Sequence, residues 1–376
     1  MKYLIVNAVL AYGSTGHIVL DLAKEFDERG DQVRVAYGRL RKVSQENKAD
    51  LEKYGVRIGN DMDVCFHALY TRLTDKHGLA SKMATRNFLK WANGFNPDVL
   101  WLHNIHDYYI NYELLFDWIK SRPQMKVQWT LHDCWSFTGH CSHFIYAKCN
   151  KWRSMCKECP QLSQYPKSFF DASTKNYYRK RNAFTGVRDL TLITPSKWLK
   201  EKVQQSFLSE YDIEVKYNTI NTDVFKPTPS NFKEDHGFQN KQMVLGVANI
   251  WNERKGYYDF IELSRRLDYH EYQIVMVGLS QKQIKALKKN NVNILGLPRT
   301  HDVMELVKIY SAANVFINPT QEDTFPTVNM EAEACGTKVI TYDIGGCRET
   351  IHRSDSQAIQ ATIDKLYDAI TANKCV

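Results

Sequence analysis

Two stretches of this 376-residue chain gather side chains capable of chemistry. The first is HCSHFIYAKCNKWRSMCKECP, residues 140–160, where Cys141, Cys149, Cys156 and Cys159 take the spacing C-x7-C-x6-C-x2-C. A C-x2-C pair can present two thiolates to one tetrahedral ion, and two further cysteines complete four ligands. Structural zinc is therefore one expectation, with His140, His143 and Cys134 as alternates for a single ligand. Free or buried thiols, an iron–sulfur centre and disulfides are the other readings. The segment has few apolar residues to fold around, and metal ligation would supply the missing stabilisation.

The second stretch is INPTQEDTFPTVNMEAEACGTKVITYDIGG, residues 317–346. Glu322 and Asp323 precede a helix expected to begin near Pro326, with Thr327 in its first turn and Glu331 further along. Proline suits a first helical turn because its missing N–H has no partner to lose there. Gly345–Gly346 are expected to open the next helix. Helix N-termini beyond strand ends aim backbone N–H groups at anions, so this order of acids, proline and glycines suits a phosphate ligand. Two weaker signals accompany it. Arg254-Lys255-Gly256 places cations before a helix, and AYGSTGH places Gly13 and Gly16 between the first strand and helix. G-x-x-G without the rest of a dinucleotide fingerprint reads equally as a tight turn.

The elements that must position these residues alternate strand and helix from end to end. KYLIVNAV is a continuous apolar run, as a parallel strand buried on both faces requires. PDVLWLH and KVQWTLH repeat that signature, each ending in a histidine, the second being His132. LTLIT and the helix SKWLKEKVQQSFL, capped by Ser196, complete a first cycle. KQMVLGVAN, YQIVMVG, NVNILG, NVFINP and TKVITYD form a second, with helices near 255–266, 281–289, 301–313 and 326–335. The expected fold is α/β, with two facing Rossmann-like doubly wound lobes over 1–213 and 214–376 and the active site in the cleft between them. A Cys-rich insertion occupies 132–160, NTINTDVFKPTPSNFKEDHGFQN is the linker, and the C-terminal helix is expected to pack back on the first lobe.

Composition bounds the partners. Fifty Lys and Arg against 42 Asp and Glu give a net charge of +8, which favours anionic ligands without choosing among them. Residues 71–90, TRLTDKHGLASKMATRNFLK, concentrate five cations against one Asp among apolar residues at helical spacing. This is either a solvated helix face or a surface for peripheral contact with an anionic membrane. No stretch approaches the 18 uninterrupted apolar residues of a spanning helix. The N-terminus reads as a buried strand rather than a signal peptide, so the expected location is cytoplasmic, at most peripheral at the inner membrane face. Thiols stay reduced there, which argues against disulfides.

The run EDTFPTVNMEAEACGTKVITYDIGG resembles the signature of the retaining glycosyltransferases of family 4, which have the two-lobed GT-B fold. TPSKWLKEKV, NTINTDVFKP, GVANIWNERKGYYDF and TLHDCW are similar to further family elements, so the resemblance spans roughly residues 1–352. It implies transfer of a sugar from a UDP- or GDP-sugar to a glycan or lipid-linked acceptor in surface-polysaccharide biosynthesis. Glu331 matches the glutamate that accepts hydrogen bonds from the nucleotide ribose. Asp323 stands where the family places its first glutamate, with Glu322 one residue earlier, so either acid can hold the donor sugar. Lys255 matches the lysine that neutralises the diphosphate. The family's partner arginine is replaced by Ile250, leaving Arg254 as the nearest substitute. His132 matches the histidine that contacts donor sugar or acceptor, Gly16 and Thr327 belong to the donor-binding turns, and no catalytic metal is implied. The usual Asn-Gly of the linker is Asn218–Thr219 here. Some members that build surface polysaccharides look similar across the cysteine segment, which favours zinc.

Two other functions fit parts of the pattern. A sugar-nucleotide epimerase of the same fold would act on donor alone. A zinc-containing nucleic-acid-binding module would use the basic charge and the CxxC, but no basic stripe carries interleaved aromatics, so no nucleic-acid partner is expected.

Overall fold

The computed structural model describes residues 1–41, 46–300 and 302–372, and the chain divides into two units, Met1–Tyr217 and Asn218–Val376. His301, the first residue of one expected helix, lies outside the described residues.

In the first unit the strands are β1 (Lys2–Asn7), β2 (Gln32–Tyr37), β3 (Gly55–Arg57), β4 (Val99–Leu102), β5 (Lys126–Thr130), β6 (Leu190–Thr194) and β7 (Asp212–Val215). They form one parallel sheet in the order β3-β2-β1-β4-β5-β6-β7. Its helices are α1 (Gly13–Glu28), α2 (Glu46–Tyr54), α3 (Asp61–Thr74), α4 (Lys82–Phe95), α5 (Tyr112–Lys120), α6 (Ser173–Phe184) and α7 (Lys197–Gln204). Leu4, Ile5 and Val6 of β1 and Leu100 and Leu102 of β4 are fully buried, because helices cover both sheet faces. Neighbouring side chains along β1 therefore fall into two separate cores. Leu4 and Val6 join the large one on one face, and Ile5 joins α1 and β2 residues on the other.

The second unit repeats the plan with β8 (Gln242–Val247), β9 (Tyr272–Val277), β10 (Ile294–Leu297), β11 (Val315–Asn318), β12 (Lys338–Tyr342) and β13 (Gln357–Ile359), all parallel, in the order β10-β9-β8-β11-β12-β13. Around it lie α8 (Phe232–Asp235), α9 (Tyr257–Arg266), α10 (Gln281–Lys289), α11 (Val303–Ala312), α12 (Thr327–Ala334) and α13 (Ile363–Thr371). Helix α13 packs within its own unit, placing Leu366, Ala369 and Ile370 in one core with Phe260 and Leu263 of α9. In each sheet the strand order reverses once, between β1 and β4 and between β8 and β11. Open α/β sheets bind ligands beyond the strand ends at such points.

Three local expectations need correction. Residues 71–90 are not one amphipathic helix. Asp75 and Ser81 adopt left-handed φ values of 56° and 52°, ending α3 and starting α4, and Asp75, His77, Leu79 and Ala80 between them are buried. Pro326 is the N-cap of α12 in extended conformation, not its first helical residue. The premise that the cysteine segment lacks apolar residues also fails. Phe137, Phe144, Trp152, Cys141 and Cys156 join the large first-unit core, with Phe144 and Trp152 stacked at 4.7 Å and Phe137 edge-on to Trp152 at 5.3 Å. Three large aromatics bury enough surface to anchor an otherwise irregular segment.

Candidate functional site

At the switch point of the second unit, the turn after β8 meets the turn after β11. Asn252 caps the first turn by accepting from the Lys255 N–H (3.0 Å), and Gly256 follows at φ 76°. A Cβ on Gly256 would lie 2.5 Å from the Pro319 carbonyl oxygen, so only glycine lets the two turns touch. Across that contact Arg254 donates to the Glu322 carbonyl (2.7 Å), and the Gln321 N–H donates back to the Arg254 carbonyl (2.7 Å). The Lys255 ammonium is ion-paired with the Asp323 carboxylate. Gly345, at φ 63°, lies so close that a Cβ would sit 1.9 Å from the Asp323 carbonyl oxygen, which also accepts from Gly346 N–H (3.1 Å). The glycine pair does not open an α-helix; it leads into a short 3-10 turn at Cys347–Thr350 and pins Asp323 from behind.

These contacts separate the two candidate acids. Asp323 keeps a partly exposed carboxylate against Lys255, whereas Glu322 is buried at 1% exposure. Ile250 is 70% exposed, and Arg254 comes from the helical turn that also carries Lys255. Neither Asn218 nor Thr219 has a positive φ, so the linker turn does without the glycine conformation. Glu331 lies in the second turn of α12, accepting from Thr327 Oγ1 (3.2 Å) and from the Tyr310 hydroxyl (3.0 Å). Burial pushes its carboxyl pKa up, against the pull of those two hydrogen bonds. Sequence reasoning missed the scaffold behind it. Asn318 donates to Asn329 and Asn329 to Thr350, both at 2.9 Å, tying the β11 end, α12 and the 3-10 turn together. The only signal was two asparagines at otherwise apolar positions.

The first unit holds a second constellation beyond its strand ends. His132, two residues past β5, places Nε2 3.0 Å from Nδ1 of His103, one residue past β4, with the rings stacked. Burial pushes the His132 pKa down to about 4, so the imidazole is neutral at pH 7. Beside it, His106 faces the Asp133 carboxylate from Nε2 (3.1 Å) and the Tyr165 hydroxyl from Nδ1 (3.0 Å). Tyr165 donates to Asp107 (3.2 Å), which also accepts from Arg39 (2.6 Å). Burial opposes ionisation of Asp133, but His106, His143 and the Trp135 N–H outweigh it and hold its pKa low. Asp107 and Tyr108 sit at φ 84° and 71°, strain that side chains other than glycine adopt where surrounding contacts force it. Gly16 lies inside α1, where a Cβ would meet Val9 at 3.2 Å and its carbonyl accepts from the Ala11 N–H (3.0 Å). It packs the helix start against the loop after β1.

The cysteine segment brings Cys141 and Cys159 together. Among the described residues, no three His, Cys, Asp or Glu side chains are arranged to hold an ion. Cys141 and Cys159 instead share a hydrogen bond that raises the pKa of the first and lowers that of the second to about 7. The Cys156 thiol accepts from the Gly139 N–H (3.2 Å). His140, an alternate ligand, is engaged by the buried Asp75.

The family model described as Glycosyltransferase Family 4 matches residues 15–224, more than half of the chain, and that of Glycosyl transferases group 1 matches residues 230–371. WcaC of Escherichia coli (strain K12), whose name assigns it as a glycosyl transferase of colanic acid biosynthesis, is 24% identical over 96% of this chain and 87% of that protein. Sucrose-phosphate synthase from Thermosynechococcus elongatus superposes at a TM-score of 0.67 with 14% identity, over 99% of this chain and 89% of the other. Anabaena HepE in complex with UDP and glucose gives 0.63 with 16% identity, again over 99% and 89%. These solved structures share the GT-B fold.

Proposed function

The chain belongs to glycosyltransferase family 4, and on that premise we propose that it moves a sugar from a nucleoside diphosphate to a glycan or lipid-linked acceptor, with retention, in surface-polysaccharide assembly. One arrangement carries the reading: Lys255 and Asp323 pair at the β8/β11 switch point, on turns that glycines hold in contact, and Glu331 lies on the helix that follows β11. WcaC, named for a polysaccharide, and HepE, solved with UDP and glucose, support the substrate classes.

In this reading the diphosphate competes with Asp323 for the Lys255 ammonium, and Arg254 adds charge from the same turn. The freed Asp323 carboxylate turns to the sugar, and Glu331 accepts from the ribose hydroxyls. The bond from the anomeric carbon to the phosphate oxygen breaks as the acceptor oxygen bonds the same face of that carbon. The acceptor proton passes to the departing phosphate oxygen. Fixed cations stabilise the charge gathering on that leaving group more in the transition state than before it. In the first unit, the neutral His132 imidazole and the His106–Asp133 pair offer hydrogen bonds to acceptor hydroxyls.

A thermal-shift series with UDP, GDP and their sugars tests the donor assignment. One nucleotide series is expected to raise the melting temperature, and Glu331→Ala to remove that shift in a folded protein. The shift should weaken at acidic pH, because the raised pKa of Glu331 lets it protonate and lose acceptor capacity sooner than an exposed glutamate. An unchanged shift in the variant would refute the role of Glu331. Anomeric analysis of the product reads retention directly.

A further inference from the structure

The cysteine segment, which the sugar-transfer reading leaves unused, carries a buried histidine built like a metal ligand. His140 is 2% exposed, and its Nδ1 faces the carboxylate of Asp75, which is itself fully buried. Asp75 is fixed in turn, its second oxygen accepting from the Ala172 N–H (2.8 Å). A carboxylate at Nδ1 sets the ring proton there and leaves the lone pair on Nε2. That nitrogen is buried and bonds nothing among the described residues. A polar atom held out of water without a partner costs free energy, so Nε2 calls for a ligand. Carboxylate–histidine pairs of this kind stand behind metal ions. Thiols are what surrounds it. His140 acts electrostatically on Cys159, which shares a hydrogen bond with Cys141, and Cys156 acts on Cys141 and is itself influenced by Cys159. Cys156 and Cys159 each accept a backbone N–H as well, from Gly139 (3.2 Å) and from Gln161. Such bonds favour a thiolate over a thiol.

We propose that the sulfurs of Cys141, Cys156 and Cys159 and the Nε2 of His140 bind one zinc ion. Spacing alone offered Cys149 as the fourth ligand; the orphaned Nε2 gives that place to His140. Each thiol gives its proton to solvent as its sulfur bonds the metal. Three sulfurs and one imidazole suit tetrahedral zinc, whereas iron–sulfur clusters usually ask for four cysteines. The complex carries a single net negative charge, and the buried Lys180 side chain, within electrostatic reach of Cys156 and Cys141, balances it. Among the described residues no three of these side chains are already arranged to hold an ion. The ion therefore completes its shell by drawing them in, and its binding is coupled to the folding of the segment. Asp133 before these ligands and Tyr165 after them both reach His106, so the ion also braces the strand-end network. The site stands on these contacts alone and does not depend on the sugar-transfer reading.

Elemental analysis of the full chain, purified without chelator, should find about one zinc per chain. X-ray absorption at the zinc edge should show sulfur at about 2.3 Å and nitrogen at about 2.0–2.1 Å, in a ratio of roughly three to one. Asp75→Asn, which keeps every ligand, should weaken zinc affinity about ten- to a hundred-fold. Cys149→Ser should keep the full zinc content, and Cys159→Ser and His140→Ala should lose it. Stripping the wild-type chain with a chelator should lower its melting temperature, and added zinc should restore it, a readout that needs no variant to fold. A purified chain without zinc, whose melting temperature added zinc does not raise, would overturn the proposal. So would zinc that a chelator removes without moving the melting temperature, zinc held by four sulfurs, or zinc lost from Cys149→Ser and kept in His140→Ala.

Discussion

The stretch after β11 and the stretch after β5 both leave the C-terminal end of a parallel strand and both carry polar side chains, yet they are built in opposite ways. After β11, Asp323, Thr327 and Glu331 lie within nine residues, and Lys255 arrives from the neighbouring strand's turn. After β5, the partners come from afar. Asp75 reaches His140 across 65 positions, Lys180 reaches Trp135 across 45, and Tyr165 reaches His106 across 59. The first region is a run of residues mounted on a helix start, joined through Arg254 and Lys255 to a single turn 68 positions away. The second is an irregular segment whose polar groups are satisfied only by the tertiary fold, including Lys180, buried against the Trp135 ring with its pKa pushed down to about 7. The first site meets its distant partners at one turn, whereas the second draws them from several separate segments packed into the core.

That contrast can be broken by substitution. The largest effect is expected from Trp152→Ala, which removes the aromatic anchor of the cysteine segment and should cost about 3–5 kcal/mol in urea melts. A smaller loss would mean that the thiols, or a bound ion found by elemental analysis of the purified protein, hold the segment instead. Lys255→Ala should leave the fold intact and lower kcat by about a hundred- to a thousand-fold, roughly 3–4 kcal/mol of transition-state stabilisation. Asp323→Asn should exceed Glu322→Gln in its effect on kcat, and the reverse order would reassign the acid. His106→Asn is expected to lower acceptor kcat/KM about ten- to a hundred-fold while donor affinity holds, which separates the strand-end network from the donor turn.

The smallest effect is a pH signature. Burial raises the pKa of Asp259, in the first turn of α9, to about 6, against the pull of its hydrogen bond to Gln321. A folded-state pKa above the unfolded value means that the folded protein holds its proton longer, so the stability this carboxyl contributes is present below pH 4 and lost as pH rises through 6. Asp259→Asn should therefore have little effect at pH 4 and stabilise by roughly 1–2 kcal/mol at pH 8. Equal effects at both pH values would show that Asp259 is solvated.

The donor turn was legible because its residues follow local rules. Helix starts, glycines at positive φ and acids before an N-terminus leave marks within a few positions. Ser196 illustrates this, accepting from the Leu199 N–H (3.1 Å) as its place before the helix implied. Residues 71–90 were not legible. Asp75 and Ser81 take left-handed conformations only because the loop between them is buried, a condition that helical spacing does not encode. The cysteine spacing carries no information about Phe137, Phe144 and Trp152 closing on one another.

By itself the sequence determined two parallel α/β units and the order of chemical groups along the donor turn, because apolar periodicity and helix-start chemistry act between near neighbours. Only the tertiary structure decided that Asp323 rather than Glu322 faces Lys255, that His106 meets Asp133, and that His140 meets Asp75. Those outcomes depend on which groups compete for the same space, and the competitors lie far apart along the chain.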